Sequence, residues 1–284
     1  MNFNSTDLRP FLTCKDHMVS GENFDLLHNS EYDLLVTSPK PTAEKLSEYY
    51  KSDDYISHTD SKKTLFDKVY QLVKSIMLKK KIGLLEKHFP QKGKVLDIGA
   101  GTGDFLKMAK NSGWKIHGAE PNKKARELAR QKKIILNEHT ENFPDSNFDA
   151  ITMWHVLEHI PDLEKQLQEL DRLLKKDGAI FVAVPNFKSY DAEHYQEFWA
   201  AYDVPRHLWH FSKTSISKLF KKTNFELEEI APLKFDAYYV SLLSEKHKTG
   251  KSNVAKAFWT GFRSNQKAKR TNAYSSLIYV LKRH

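Results

Sequence analysis

Cysteine is almost missing from this chain: Cys14 stands alone among 284 residues. An internal disulfide and a Cys-rich zinc site are thereby excluded, which fits a reducing compartment. Long apolar runs are missing as well. The densest late run, AIFVAV at 179–184, is far shorter than the roughly 20 residues of a membrane-spanning helix, and the opening MNFNSTDLRPF has no apolar stretch behind a basic start. A cytoplasmic chain is expected. Repeats and low-complexity tracts are absent, and acids nearly vanish toward the end. From Glu245 to His284 there are ten Lys or Arg and one acid, while residues 1–244 balance at 35 of each sign. The whole net charge of +9 therefore sits in the last stretch. It could draw in a nucleic acid or an anionic surface, or form a solvated face.

What is present is enough apolar character, 40% of residues, to bury a core. From Lys94 onward, strand-like and helix-like segments alternate. KVLDI (94–98) precedes a helix from Asp104, KIHGAE (115–120) a helix from Asn122, and a short strand near Ile134 leads to FDAITMW (148–154). A helix over 163–174, the strand AIFVAV, a helix from Ser212 to about Thr223, ELEEIAPL (226–233) and SSLIYVLKR (275–283) follow. Such alternation predicts an α/β fold, a parallel sheet covered by helices on both faces. Ahead of it, Leu65, Phe66, Val69, Leu72, Val73 and Ile76 recur at helical spacing within 63–89. Residues 1–61 read as a small appendage and 62–284 as the main domain. A basic insertion at about 236–272 carries Val254, Phe258 and Phe262 at a spacing of four.

VLDIGAGTGDF at 95–105 runs from strand through a glycine bend into a helix. Gly99, Gly101 and Gly103 allow a tight turn and close approach of a ligand, and the helix start offers free N–H groups. Asp104 stands where a dinucleotide fingerprint needs a third glycine, and the Gly-Lys-Ser/Thr of a P-loop is absent. Asp97 would repel a diphosphate and favour an amino-bearing or cationic ligand. Glu120, 19 residues after Gly101, is placed to accept both hydroxyls of a ribose. Ribose plus cation points to S-adenosylmethionine.

DIGAGTG, AEPN, FDAITMWHVLEHIPD and KKDGAIFVAVPN, in that order over about 92–232, resemble the successive motifs of class I S-adenosylmethionine-dependent methyltransferases. The resemblance implies a Rossmann-like, doubly wound, mostly parallel seven-stranded sheet with an antiparallel last strand. It also implies that Gly99 and Gly101 face the methionine part, Glu120 the ribose and Pro121 the adenine, with Trp154 and His155 beside the cofactor. EYYKSDDYISH at 48–58 is similar to an N-terminal stretch that closes over the cofactor in related bacterial enzymes, which makes Tyr50, Tyr55 and His58 candidates. The segment around Cys14 resembles a zinc-knuckle module that has lost its cysteine pairs, and His17 and His28 are weak substitutes.

His155, Glu158 and His159 spell H-x-x-E-H, the spacing of some zinc proteases. Pro161 and the strand just upstream argue against the long helix that motif needs. The segment also resembles the E-x-x-E-H of some quinone-type O-methyltransferases, which are associated with a divalent metal; here His155 replaces their first Glu, and no metal is assigned. FWAAYDVPRHLWHFS (198–212) packs aromatics with Asp203, Arg206, His207 and His210. Trp199, Tyr202, Asp203, Arg206, His207 and His210 are candidates to wall an acceptor pocket, against a buried segment held by an Asp203 pair with Arg206 or His207. For a general base His207 comes first, then His155 and His159. The expected activity is methyl transfer to an O, N or C nucleophile of a small biosynthetic metabolite. RNA or protein methylation steered by the basic region, or a non-catalytic cofactor-binding relic, are the alternatives.

Overall fold

A computed structural model describes residues 8–50 and 65–283. The central sheet has six strands in the order β5-β4-β6-β7-β10-β9. They are β4 (Lys94–Ile98), β5 (Lys115–Ala119), β6 (Phe148–Trp154), β7 (Leu174–Pro185), β9 (Phe225–Pro232) and β10 (Ser276–Arg283). β4 pairs in parallel with β5 and β6, and β6 with β7, whereas β10 lies antiparallel between β7 and β9. The strand expected near Ile134 is reduced to a single parallel bridge between Ala119 and Asn137. Ile134 itself is spent as a packing residue, buried against the glycine bend.

Neighbouring strand residues point to opposite faces, so a strand buried on both sides must be apolar throughout. Leu96, Ile151, Ile180 and Val182 meet α5 (Leu163–Leu173) and α7 (Lys213–Lys221) on one face. Val95, Ala150, Ala179 and Phe181 meet α2 (Leu65–His88), α3 (Asp104–Asn111) and α4 (Lys123–Gln131) on the other. Asn122, Asp162 and Ser212 cap α4, α5 and α7 through their side chains, so each helix starts where the sequence carries a capping residue.

The appendage is an antiparallel sheet of β1 (Leu8–Lys15), β2 (Asn23–Asn29) and β3 (Leu34–Ser38), followed by the short α1 (Ala43–Glu48). Its fourth strand, β8 (Trp209–His210), comes from the main body, so the two parts share a sheet. Cys14 is buried in this unit, and burial pushes its thiol up to about 12, so it is protonated at neutral pH. His17 stacks on His247 and His28 pairs with Asp33, so neither gathers around Cys14. The basic insertion folds as a helical hairpin, α8 (Asp236–Thr249) and α9 (Val254–Thr271), between β9 and β10.

Candidate active site

The site lies where β4 and β6 end and the chain turns toward helices, the carboxyl edge of the parallel strands. Gly99, Gly101 and Gly103 have φ of 70°, 52° and 76°, a region that strains any residue with a Cβ. A Cβ on Gly99 would stand 2.4 Å from Val156 Cγ2, and one on Gly103 would stand 3.1 Å from Ile134 Cγ2. At Gly101 it would meet nothing within 4 Å. The first and third glycines thus fix the bend, and the middle one presents bare backbone to open space.

Two buried acids flank the bend. Glu120 accepts the Gly101 N–H through Oε2 at 2.9 Å and the Asn122 N–H through Oε1 at 2.8 Å. Each oxygen keeps a lone pair for a hydroxyl donor. Asp97, 2% exposed, accepts a 2.6 Å hydrogen bond from Thr152 Oγ1. Burial pushes its carboxyl up to about 7, against the pull of Thr152 and Lys81 and with a further push from the negative charge of Glu120. Such a pair repels a pyrophosphate and is relieved by a cation. Lys81 of α2 holds its Nζ 4.5 Å from the centre of the Trp154 ring and acts on both Asp97 and Asp236.

His155, at the end of β6, has φ of 58°, which breaks the strand and starts the turn through Leu157–His159. Its Nε2 is 3.1 Å from Asp236 Oδ2 and its Nδ1 3.4 Å from Glu158 Oε1. Burial opposes the charged form, but the two carboxylates prevail and raise the imidazole to about 9. His155 is therefore an imidazolium at neutral pH and cannot serve as the base, which corrects the expectation placed on it. Glu158 is 1% exposed, and neither of its oxygens has a hydrogen bond among the described residues.

The remaining histidines differ. His159 Nδ1 lies 3.0 Å from the Arg206 carbonyl and 2.9 Å from Tyr50 Oη. With Nδ1–H donating to the carbonyl, Nε2 carries the free lone pair, and burial and the nearby His207 lower the imidazole to about 4. His207 Nδ1 lies 2.9 Å from the Ala201 carbonyl, which fixes the same tautomer. The two rings meet edge to face at 4.5 Å. Glu158, His159 and His207 each bring one ligand atom within 4.8 Å of the others, a carboxylate and two imidazoles oriented by carbonyls, which fits a divalent cation as well as a proton relay.

Other expected residues lie elsewhere. Trp199 donates its indole N–H to Asp191, and Trp199 and Tyr202 fill the core shared with Cys14 and Phe24. Arg206, 1% exposed, is locked between Asp16 (2.9 Å) and Asp203 (2.7 Å), and His210 Nε2 lies 3.0 Å from Thr37 Oγ1. These four bind the appendage to the body and have no face left for an acceptor, since buried aromatics and ions are already satisfied by these partners. Pro121 is exposed beside Glu120. Tyr55 and His58 lie outside the described residues.

A family described as a methyltransferase domain matches residues 57–230. The chain belongs to this methyltransferase family. A methyltransferase of Oceanobacillus iheyensis is 29% identical over 149 residues, 47% of this chain and 70% of the relative. A protein of Methanocaldococcus jannaschii is 31% identical over 153 residues, 53% of this chain and 65% of the relative. Across the first curated relatives the chain spans between about half and 70% of their length. In fold, the chain is similar to the 1,6-didemethyltoxoflavin-N1-methyltransferase of Burkholderia thailandensis, solved with S-adenosylhomocysteine. The TM-score is 0.53 at 14% identity, over 95% of this chain and 99% of that one. A second fold relative is an S-adenosylmethionine-dependent methyltransferase of Thermotoga maritima, with a TM-score of 0.51 at 19% identity, over 76% of this chain and 94% of that one.

The methyl donor of this family is S-adenosylmethionine, and the glycine bend with its two acids fits it. Three residues around this candidate site escaped the sequence reading: Thr152, Lys81 and Asp236. Only Thr152 had a signal, as the one polar residue inside the otherwise apolar run AITMW. Lys81 is one of several lysines on α2, and Asp236 lies in an insertion that sequence spacing does not tie to the sheet.

Proposed function

We propose that the protein transfers the methyl group of S-adenosylmethionine to an oxygen, nitrogen or carbon of a small biosynthetic metabolite bound beside Trp154, His159 and His207. The observation that carries this reading is the Glu120 carboxylate fastened to the Gly101 N–H beside the buried Asp97. Relatives named ubiquinone biosynthesis O-methyltransferase in Pelagibacter ubique, 29% identical over 160 residues, and demethylmenaquinone methyltransferase in Thermotoga maritima, 30% identical over 112, support a small acceptor.

Glu120 would hold the ribose hydroxyls and Asp97 would lie toward the cationic methionine part. The cofactor, when bound, supplies an electrophilic methyl on a sulfonium. Charge is lost as the methyl moves, so a dry and well-aligned pocket provides most of the acceleration. Trp154 and Val156, both half-buried next to the strand end, would give it an apolar wall. His207 takes the acceptor proton on Nε2, with Nδ1–H held by Ala201, and His159 is the neighbouring alternative. If Glu158, His159 and His207 instead held a divalent cation, the Nε2 lone pairs of the two histidines would be taken up by it, and the cation would supply acidity to an acceptor hydroxyl in place of the histidine base.

Label transfer from methyl-labelled donor to a host metabolite extract tests the reading. His207→Ala should lower turnover by about 100-fold while the donor Kd stays within about twofold; full turnover in this variant removes His207 from the mechanism. Turnover that disappears on chelation, returns with a divalent ion and needs more of that ion in Glu158→Gln would place a metal on these three groups.

A further inference from the structure

The α8–α9 hairpin leaves an apolar ridge uncovered. Val254, Phe258, Trp259 and Phe262 are 64%, 61%, 58% and 37% exposed. At about 100° per residue they span, with the exposed Ala255, roughly 140° of the α9 circumference. The opposite side, Ala257, Gly261, Ser264 and Ala268, is buried on the body. That inner contact is tight: a Cβ on Gly261 would stand 2.8 Å from the Tyr238 ring, and Ser264 donates to the buried Asp191 at 2.7 Å. The ridge is thus held outward by a fixed helix. Lys251, Lys256, Arg263, Lys269 and Arg270 rim it, all exposed, and no acid occurs between Lys246 and Arg283.

We propose that this ridge docks on an anionic lipid bilayer, with Phe258, Trp259 and Phe262 at headgroup depth and the basic rim on the phosphates. Charge complementarity selects this occupant. A second copy would bring two rims of one sign together, and a nucleic acid would find the ring faces partly used. Trp259 stacks on Phe262 at 5.8 Å and 23°, and Phe258 lies on Tyr238 at 5.3 Å and 30°. Val254 and Ala255 offer a base nothing, whereas acyl chains accept them. No helix among the described residues is long and apolar enough to cross a membrane, so the attachment is peripheral. It stands independently of the acceptor's identity.

The full chain is floated with vesicles of phosphatidylcholine containing about a third phosphatidylglycerol, beside pure phosphatidylcholine. Trp259, the exposed one of the five tryptophans, reports insertion by a blue shift. Binding should appear on the charged vesicles only and weaken with salt. Lys256→Gln with Arg263→Gln should lower it about 25-fold, at about fivefold per charge, and Phe258→Ser with Trp259→Ser by about tenfold or more. All four positions are exposed, so melting temperatures should not change. Absence of flotation at low salt, flotation unaltered in both variants, or a single-stranded RNA bound where vesicles are not, overturns the proposal. So does a dimer that the variants break while vesicles fail to bind.

Discussion

Asp97 sets stability against its proposed role at a single residue. Buried, with Thr152 as its hydrogen-bond donor, it has a carboxyl at about 7 instead of the usual 3.8. Between those values the folded state binds more protons than the unfolded one, so the residue's contribution to stability is lost as pH rises from about 4 to 7. Asp97→Asn should therefore raise the unfolding free energy by about 1–3 kcal/mol at pH 8 and change little at pH 4, measured by urea titration at both. The glycines give a second contrast. Gly99→Ala adds the Val156 collision to left-handed strain and should cost about 3 kcal/mol or more, while Gly101→Ala should cost about 1 kcal/mol, both read by thermal unfolding. Asp97, Glu120 and the glycines were legible because a strand, a tight bend and a helix start demand those types at fixed offsets. Lys81 and Asp236 were not, since Lys81 reaches Asp97 and Trp154 from a helix whose lysines all look alike in sequence, and Asp236 meets His155 from within an insertion.

Among the elements, the strands were readable from two-sided apolar runs, and the helices from capping residues such as Asn122 and Ser212. The segment 198–212 shows where that stops. Its Trp and Tyr signalled burial, but composition cannot say whether aromatics face a ligand or another sheet, and here they close over the appendage. What holds the hairpin in place is Asp191 of α6 (Tyr190–Tyr195), fully buried, which accepts from Trp199 Nε1 at 2.8 Å, Ser264 Oγ at 2.7 Å and Ser275 Oγ at 2.6 Å. One carboxylate therefore joins the 198–212 segment, α9 and the residue preceding β10. Asp191→Ala strands three buried donors and should destabilise the fold by about 3 kcal/mol or more, measured by urea unfolding; a loss below 1 kcal/mol would contradict this anchoring role.

Over the whole molecule, the appendage and body are one structure because β8 completes the appendage sheet and Arg206 bridges Asp16 to Asp203. Despite burial, Arg206 and the backbone N–H groups of Met18 and Ser20 bring the Asp16 carboxyl down to about 2. That stabilisation is present above the ordinary carboxylate value and lost as pH falls from about 4 through 2. Arg206→Met should cost about 3–5 kcal/mol at pH 7 by leaving two acids unpaired. The site hangs on this junction, since Arg206 presents the carbonyl that orients His159. Calorimetric titration of wild type with S-adenosylmethionine and with a nicotinamide dinucleotide tests the central claim most directly. The account predicts binding of the sulfonium nucleoside alone, weakening as pH falls below about 7 and lost in Glu120→Ala; equal binding of the dinucleotide, or an affinity untouched by removing Glu120, would contradict it.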